Sequence, residues 1–205
     1  MPALRFPTDR IVGTLSWKGS WSDEHGPVLA TGSVEVPDGV AVSMEVQLLL
    51  GSEPSGRGSW SMIPAQEAVD LGFVRDLPAD AVESLSIPSA HEESFAAVAH
   101  LAPGLRRLYL GYSRFSDAVL PTVAMLTELT FLQTFGNVFT DHGVQQLVSL
   151  VKVDHLYLEE ETLTVRAFDF VDRLPQLTRL GVRDVPLTEH EIARLRERLP
   201  GVDVG

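Results

Sequence analysis

The stretch LTFLQTFGNVFTDHGVQQL, residues 129–147, carries the pattern on which the reading of the whole chain turns. Leu129, Leu132 and Thr134 occupy the key places of an L-x-x-L-x-L line, whose last residues alternate as a short strand with one buried face does. Phe131 and Phe135 fall on the other set of positions, so they are expected to look away from the core. Thr140 then stands where a helix N-cap is wanted, and Val144 and Leu147 follow at helical spacing.

Moving by 24 residues in either direction reproduces the line. Leu105, Leu129, Val153 and Leu177 share one column, Leu108, Leu132, Leu156 and Leu180 a second, and Leu110, Thr134, Leu158 and Val182 a third. Phe115, Phe139, Leu163 and Leu187 follow, each directly before Ser116, Thr140, Thr164 or Thr188. Two helical columns close each row: Leu120, Val144, Phe168, Ile192, and Val123, Leu147, Val171, Leu195. The unit is strand, loop and short helix, and a fixed period of this length denotes stacked coils. In the last row Thr188 and Glu191 have the spacing of a capping box.

On LRRLYL, LTFLQT, VDHLYL and LTRLGV at fixed separation, the chain resembles the leucine-rich repeat family. FTDHGVQQL is similar to the T-D-x-G-L helix start common in bacterial members of that family. VESLSI, residues 82–87, leads the series, and LPGVDV resembles a truncated closing repeat. The resemblance implies an α/β fold: a leucine-rich repeat solenoid of about five repeats over residues 67–205, with a parallel concave sheet and short helices on the convex side. Members often stack an asparagine after the strand, but Ser113, Asn137, Glu161 and Val185 stand there, so no continuous asparagine ladder is expected. Pro121 lies in a helical stretch and is expected to shorten it.

Before residue 67 the period becomes two. Ile11, Gly13, Leu15 and Trp17 form one alternating set, Val28 to Val36 a second, and Val40, Val42, Met44, Val46 and Leu48 a third. Pro37 to Gly39 is a tight-turn signal, so residues 28–48 are expected to form a β-hairpin. Residues 1–66 are thus expected to be a small antiparallel β domain capping the open end of the solenoid, with a separate ligand-binding β module as the alternative. A Gly- and Ser-rich loop at 51–61 and a helical segment AVDLGFVRDLP connect the two.

Composition sets limits on function. A hydrophobic fraction of 44% with 21% charged residues is that of a soluble globular protein, and no signal peptide or membrane span is legible. The absence of cysteine suits a reducing, cytoplasmic setting. A net charge of -12 argues against nucleic acid as a partner.

Catalytic and metal signatures are weak. His190-Glu191 begins a zinc-helix pattern that Arg194 breaks, and His25, His91, His100, His142 and His155 have no ligand spacing. SGRGSW lacks the lysine of a phosphate loop, and no G-x-S-x-G occurs. Glu159 to Glu161 has the charge to bind a cation or a basic partner, but reads better as a solvated loop after a strand. No cofactor and no enzymatic activity are expected.

What remains is the outward face of the strands. Its columns hold Ser84, Arg107, Phe131, His155 and Arg179; then Ser86, Tyr109, Gln133, Tyr157 and Gly181; then Pro88, Gly111, Phe135, Glu159 and Arg183. Tyr109, Phe131, Phe135, His155 and Tyr157 are expected to cluster, with Arg107, Arg179 and Arg183 bordering them and Gln133 among them. Aromatic and Arg side chains carry most interface energy, so the expectation is a module that binds a protein or peptide, as a monomer or weak homo-oligomer. A small-molecule or glycan receptor is the alternative reading, and an enzyme with a site between the β cap and the solenoid the third.

Overall fold

The computed structural model describes residues 3–17, 28–46 and 68–205. The Gly- and Ser-rich stretch at 51–61, together with Lys18, His25 and Leu48, lies outside the described residues.

The strands, in chain order, are β1 (Ala3–Arg5), β2 (Gly13–Ser16), β3 (Val28–Leu29), β4 (Ser33–Glu35), β5 (Ser43–Val46), β6 (Ser84–Ile87), β7 (Arg107–Gly111), β8 (Phe131–Phe135), β9 (His155–Glu159), β10 (Arg179–Gly181) and β11 (Asp203–Val204). Nine of them form one sheet in the order β11-β10-β9-β8-β7-β6-β5-β2-β3. From β5 to β11 every neighbour is parallel. The repeat columns become the register itself, with Leu85, Leu108, Leu132, Leu156 and Leu180 opposite one another across five strands. Each is at most 1% exposed. Burying one leucine fully is worth about 1.5–3 kcal/mol, so a one-residue slip, which would turn the whole column outward, is strongly disfavoured.

The convex side is made of α1 (Leu120–Ala124), α2 (Asp141–Val144), α3 (Glu189–Arg198) and 3₁₀ turns such as Glu92–Leu101 and Val165–Phe168. Ser116, Thr140, Thr164 and Thr188 cap their segments as the repeat suggests, and Thr188 with Glu191 completes the capping box. Pro121 sits at the first turn of α1, where a missing N–H is no loss. The helical segments of the next two coils, α2 and Val165–Phe168, are as short without a proline, while Glu92–Leu101 and α3 run longer.

A ladder of acids joins the coils on this side. Glu92 accepts from the N–H and hydroxyl of Ser116 at 2.6 and 3.0 Å. Asp117 accepts from the same two groups of Thr140, and Asp141 from those of Thr164. Each acid thereby satisfies an N-cap residue of the next coil, whose backbone N–H lacks an intrahelical partner. The glycine of the T-D-x-G stretch follows from this contact: a Cβ on Gly143 would lie 2.1 Å from the Asp117 carboxyl carbon. In the fourth coil Val165 stands in the acid's place, and Thr188 bonds its own Glu191 instead.

The N-terminal strands pair differently from expectation. Pro37 to Gly39 does turn the chain, with Gly39 at φ 74°, but β4 and β5 on either side do not form a hairpin. β4 pairs antiparallel with β1, and β5 pairs antiparallel with β2. Residues 3–16 instead run antiparallel to 28–35, with the N–H groups of Val12 and Phe6 donating to the carbonyls of Ala30 and Gly32 between the two strand pairs. Gly13 is the physical reason: a Cβ there would lie 2.1 Å from the Glu45 carbonyl oxygen, so only glycine lets β2 approach β5 this closely. With β2 on one edge of β5 and β6 on the other, neither edge is left for β4. Val42, Met44 and Val46 are buried as the period of two requires.

Replacing Asp117 or Asp141 by Ala should lower the stability of the chain by about 1–2 kcal/mol each. Because the two acids serve different coil junctions, the losses should add in the double variant within about 0.5 kcal/mol. Urea denaturation of the four proteins checks this, and variants as stable as the parent would contradict the ladder's role.

Candidate binding face

Alternation in β7 to β10 turns Leu108, Leu110, Leu132, Thr134, Leu156, Leu158 and Leu180 into the core. The intervening residues stand on the opposite face. Register places Arg107, Phe131, His155 and Arg179 side by side in one row, and Tyr109, Gln133, Tyr157 and Gly181 in the next. All nine residues singled out from the sequence lie on these strands or immediately after them.

Three rings meet around Phe131. Its centroid lies 4.8 Å from that of Tyr109, 5.5 Å from Tyr157 and 6.2 Å from the imidazole of His155. The rings cover one another and are half-buried, forming a continuous aromatic plate. Two guanidinium groups lie on it. Arg107 sits 5.1 Å from the Phe131 centroid and 6.0 Å from that of Tyr109, and Arg179 sits 6.0 Å from that of Tyr157. Arg107 also donates from Nε and Nη2 to the Tyr109 hydroxyl, at 3.2 and 2.9 Å. Gln133 donates to Glu159 at 2.9 Å, and the His155 Nδ1 is 2.7 Å from Asp154.

Phe135 and Arg183 stand apart from this plate. Phe135 packs edge-on against Tyr112, centroids 4.7 Å apart, at the far end of β8. Arg183 lies beyond β10, exposed and without a ring contact among the described residues. Tyr112 was not singled out from the sequence, because it follows its strand in a turn and holds φ 52°, which alternation does not anticipate. It is 74% exposed, and Gly136, where a Cβ would meet the tyrosine ring at 2.9 Å, makes room for it.

Two glycines explain how some of the rings are seated. A Cβ on Gly111 would lie 2.4 Å from Cζ of Phe135, and one on Gly181 would lie 2.1 Å from Cδ1 of Tyr157. Each ring therefore lies over the bare backbone of the adjacent strand, the arrangement that compensates glycine in a sheet. The signal was legible, since glycine appears beside an aromatic residue in the aligned rows.

Behind the plate the coil turns are polar and buried, contrary to the reading of Glu159 to Glu161 as a solvated loop. Glu160 is 1% exposed and Glu159 9%, while Glu161 alone is open. Asn137 accepts from Phe115 N at 3.2 Å and donates to the carbonyls of Leu110 and Phe135 and to Glu160 Oε1. Its own backbone N–H donates to Glu160 Oε2 at 2.7 Å. Ser113 donates to Ile87 O in the preceding turn. The spine of the turns is therefore Ser113, Asn137 and Glu160, shifted by one residue from the expected Glu161. Burial raises the Glu160 carboxyl above the usual range and Glu159 adds to this, while Asn137 and the nearby Thr134 hydroxyl act in the other direction.

Elsewhere, a hollow where the N-terminal strands meet the solenoid is lined by Gly39, Asp80, Glu83, Pro103 and Arg106. Arg106 is engaged there by Pro103 O at 3.0 Å, Leu105 O and, at 3.6 Å, Glu128. Among the described residues no three His, Cys, Asp or Glu side chains are grouped to hold a metal ion, and no helix is long and apolar enough to cross a membrane.

In-register parallel strands at a constant 24-residue step, each followed by a capped convex turn, decide the architecture. The chain has the fold of a leucine-rich repeat solenoid. No protein-family model and no curated protein matches it. Among solved structures, it is similar to an internalin from Listeria monocytogenes, at 17% identity and a TM-score of 0.49, over 66% of this chain and 39% of that one. A leucine-rich repeat protein from Leptospira interrogans is similar at 16% identity and a TM-score of 0.28, over 65% of this chain and 50% of that one. The chain thus spans half or less of the length of these two proteins.

The raised Glu160 carboxyl has a direct consequence for stability. Below the ordinary glutamate range it is protonated folded and unfolded alike. As pH rises from there, the unfolded chain releases the proton first, so stability falls until the folded carboxyl has also ionised. Glu160→Gln removes this titration, and its stability relative to the parent should climb with pH across that window. Thermal midpoints of both proteins over a pH series test this; a constant difference would contradict it.

Proposed function

We propose that the solenoid is a non-enzymatic interaction module that binds a protein or peptide partner through its concave sheet. The observation that carries this reading is the plate of Tyr109, Phe131, His155 and Tyr157 with Arg107 and Arg179 laid on it. Such residues dominate binding energy where they are desolvated by a partner, and they combine apolar area with fixed hydrogen-bonding groups. The rings are rigid because neighbours and glycine backbone hold them, so little conformational entropy is lost on association.

The plate spans only four strands, which suits a modest or transient interface better than a large obligate one. Strands β1 to β5 serve in this reading as the cap of the solenoid's first coil, since β5 pairs with β6 and covers its edge. A cytoplasmic setting and a monomeric or weakly self-associating chain complete the proposal.

A photo-crosslinking residue at Gln133 should capture one partner protein, and the same residue on exposed convex Arg194 should not. For the purified pair, the Tyr109→Ser/Tyr157→Ser double variant should bind at least about tenfold more weakly, a loss of about 1.4 kcal/mol. It should still unfold cooperatively, at a midpoint lowered by the uncovering of Gly181. Unchanged affinity in a folded double variant would sink the reading.

A further inference from the structure

Arg107 differs from the other arginines that the fold engages. Arg106 is occupied by Pro103 O, Leu105 O and Glu128, and Arg179 faces Asp203 at 3.5 Å. Arg196 donates from Nε and Nη2 to Val204 O, and Arg198 reaches Asp172 at 3.0 Å. Arg107 makes no ion pair among the described residues. Its bonds go to one neutral acceptor, the Tyr109 hydroxyl, through Nε and Nη2. A guanidinium has five N–H groups, so the remaining three are open to solvent on this exposed side chain.

The group is also held in place. The Phe131 ring lies beneath it and the Tyr109 hydroxyl grips one edge, so its open edge faces outward with a fixed geometry. A fixed guanidinium fork fits a carboxylate with two parallel hydrogen bonds, and it lies beside an apolar platform. Three acids beside the plate are already engaged: Glu159 by Gln133, Asp154 by His155, and Asp203 by Arg179, while Glu83, whose carbonyl accepts from the N–H groups of Arg106 and Arg107, shares the column of Arg106 rather than that of Arg107. Glu45 lies two strands away from β7, on β5. The acidic surplus elsewhere on the chain is screened beyond about 8 Å at physiological ionic strength, so it weakens the attraction of Arg107 for a carboxylate little.

The geometry points to a partner segment that is acidic beside an apolar residue: a carboxylate takes the Arg107 fork while the apolar side chain lies on Phe131 and Tyr157. This inference rests on the concave-face reading above and adds the chemistry of what is bound. Arg179 is three strand steps from Arg107 along the same row, about 14 Å, which a short extended segment can span. A second acid in that segment would compete with Asp203 for it, at exposed positions where such exchange is cheap.

The test uses the full chain and three fluorescent peptides that share an apolar Leu-Trp-Leu core, flanked by Glu, by Gln or by Lys. Anisotropy titrations should rank Glu above Gln above Lys, with Glu at least about tenfold tighter than Gln, as one charge-assisted fork provides. Arg107→Gln should erase the Glu preference, Arg107→Lys should keep only part of it, and Arg194→Gln on the convex side should leave it intact. Circular dichroism of each variant confirms that it is folded. Tighter binding of the Lys peptide, or a Glu preference that survives Arg107→Gln, overturns the inference, as does the absence of any difference among the peptides. If a crosslinked partner touches the plate with a basic segment and Arg107→Gln leaves its affinity unchanged, this inference fails while the concave-face reading stands. If the double tyrosine variant also binds that partner normally, both fail.

Discussion

Register is the constraint on which everything else in this protein depends. Parallel strands one coil apart have to align residue for residue, because their inward side chains form a single core and their loops share one spine of hydrogen bonds. Once Leu108, Leu132, Leu156 and Leu180 are stacked inward, the side chains between them have nowhere to go but the opposite face. The aromatic plate is thus a by-product of core packing in its placement, although nothing in core packing requires those positions to be aromatic. A solenoid converts a linear repeat into a two-dimensional array, and the array is where binding chemistry can be arranged one residue at a time.

The same constraint governs the polar groups. Each turn leaves backbone carbonyls and N–H groups in a buried place, and each coil settles them with a different residue. Ser113 serves one turn and Asn137, with four side-chain bonds, the next, while Glu160 reaches back to Asn137 from the third. A carboxylate in that position is the least comfortable choice, since its burial opposes ionisation, and the Thr134 hydroxyl near it makes no hydrogen bond of good geometry. On the convex side Glu92, Asp117 and Asp141 do the analogous work in contact with solvent, where ionised groups cost little. Coil-to-coil cohesion therefore runs along two polar seams flanking one apolar core.

Much of this was legible in the sequence because the repeat makes the register readable. The columns through Leu108 and Leu132, the caps at Ser116 to Thr188 and the outward placement of Phe131 all follow from a 24-residue step. Three features were not. The pairing of β4 with β1 depends on how near β2 can come to β5 across Gly13, a tertiary fact that alternation does not encode. Glu160 replaces Glu161 in the spine because the turn after β9 differs by one residue from a strict column. Tyr112 reaches the rim of the face only through a left-handed backbone, outside the strand pattern. Position in a column identified where Tyr109 and Tyr157 point; it did not show that Arg107 bonds the Tyr109 hydroxyl and makes no ion pair among the described residues.

The three tyrosines of the chain make the central claim directly measurable, because all three lie on the outward face of the sheet or at its rim. Hydroxyl-radical footprinting of the free protein should modify Tyr112 fastest and Tyr109 and Tyr157 at intermediate rates, following their exposure. With a bound partner, Tyr109 and Tyr157 should become protected while Met125 on the convex side keeps its free rate. Protection at Met125 with both plate tyrosines unchanged would contradict the account.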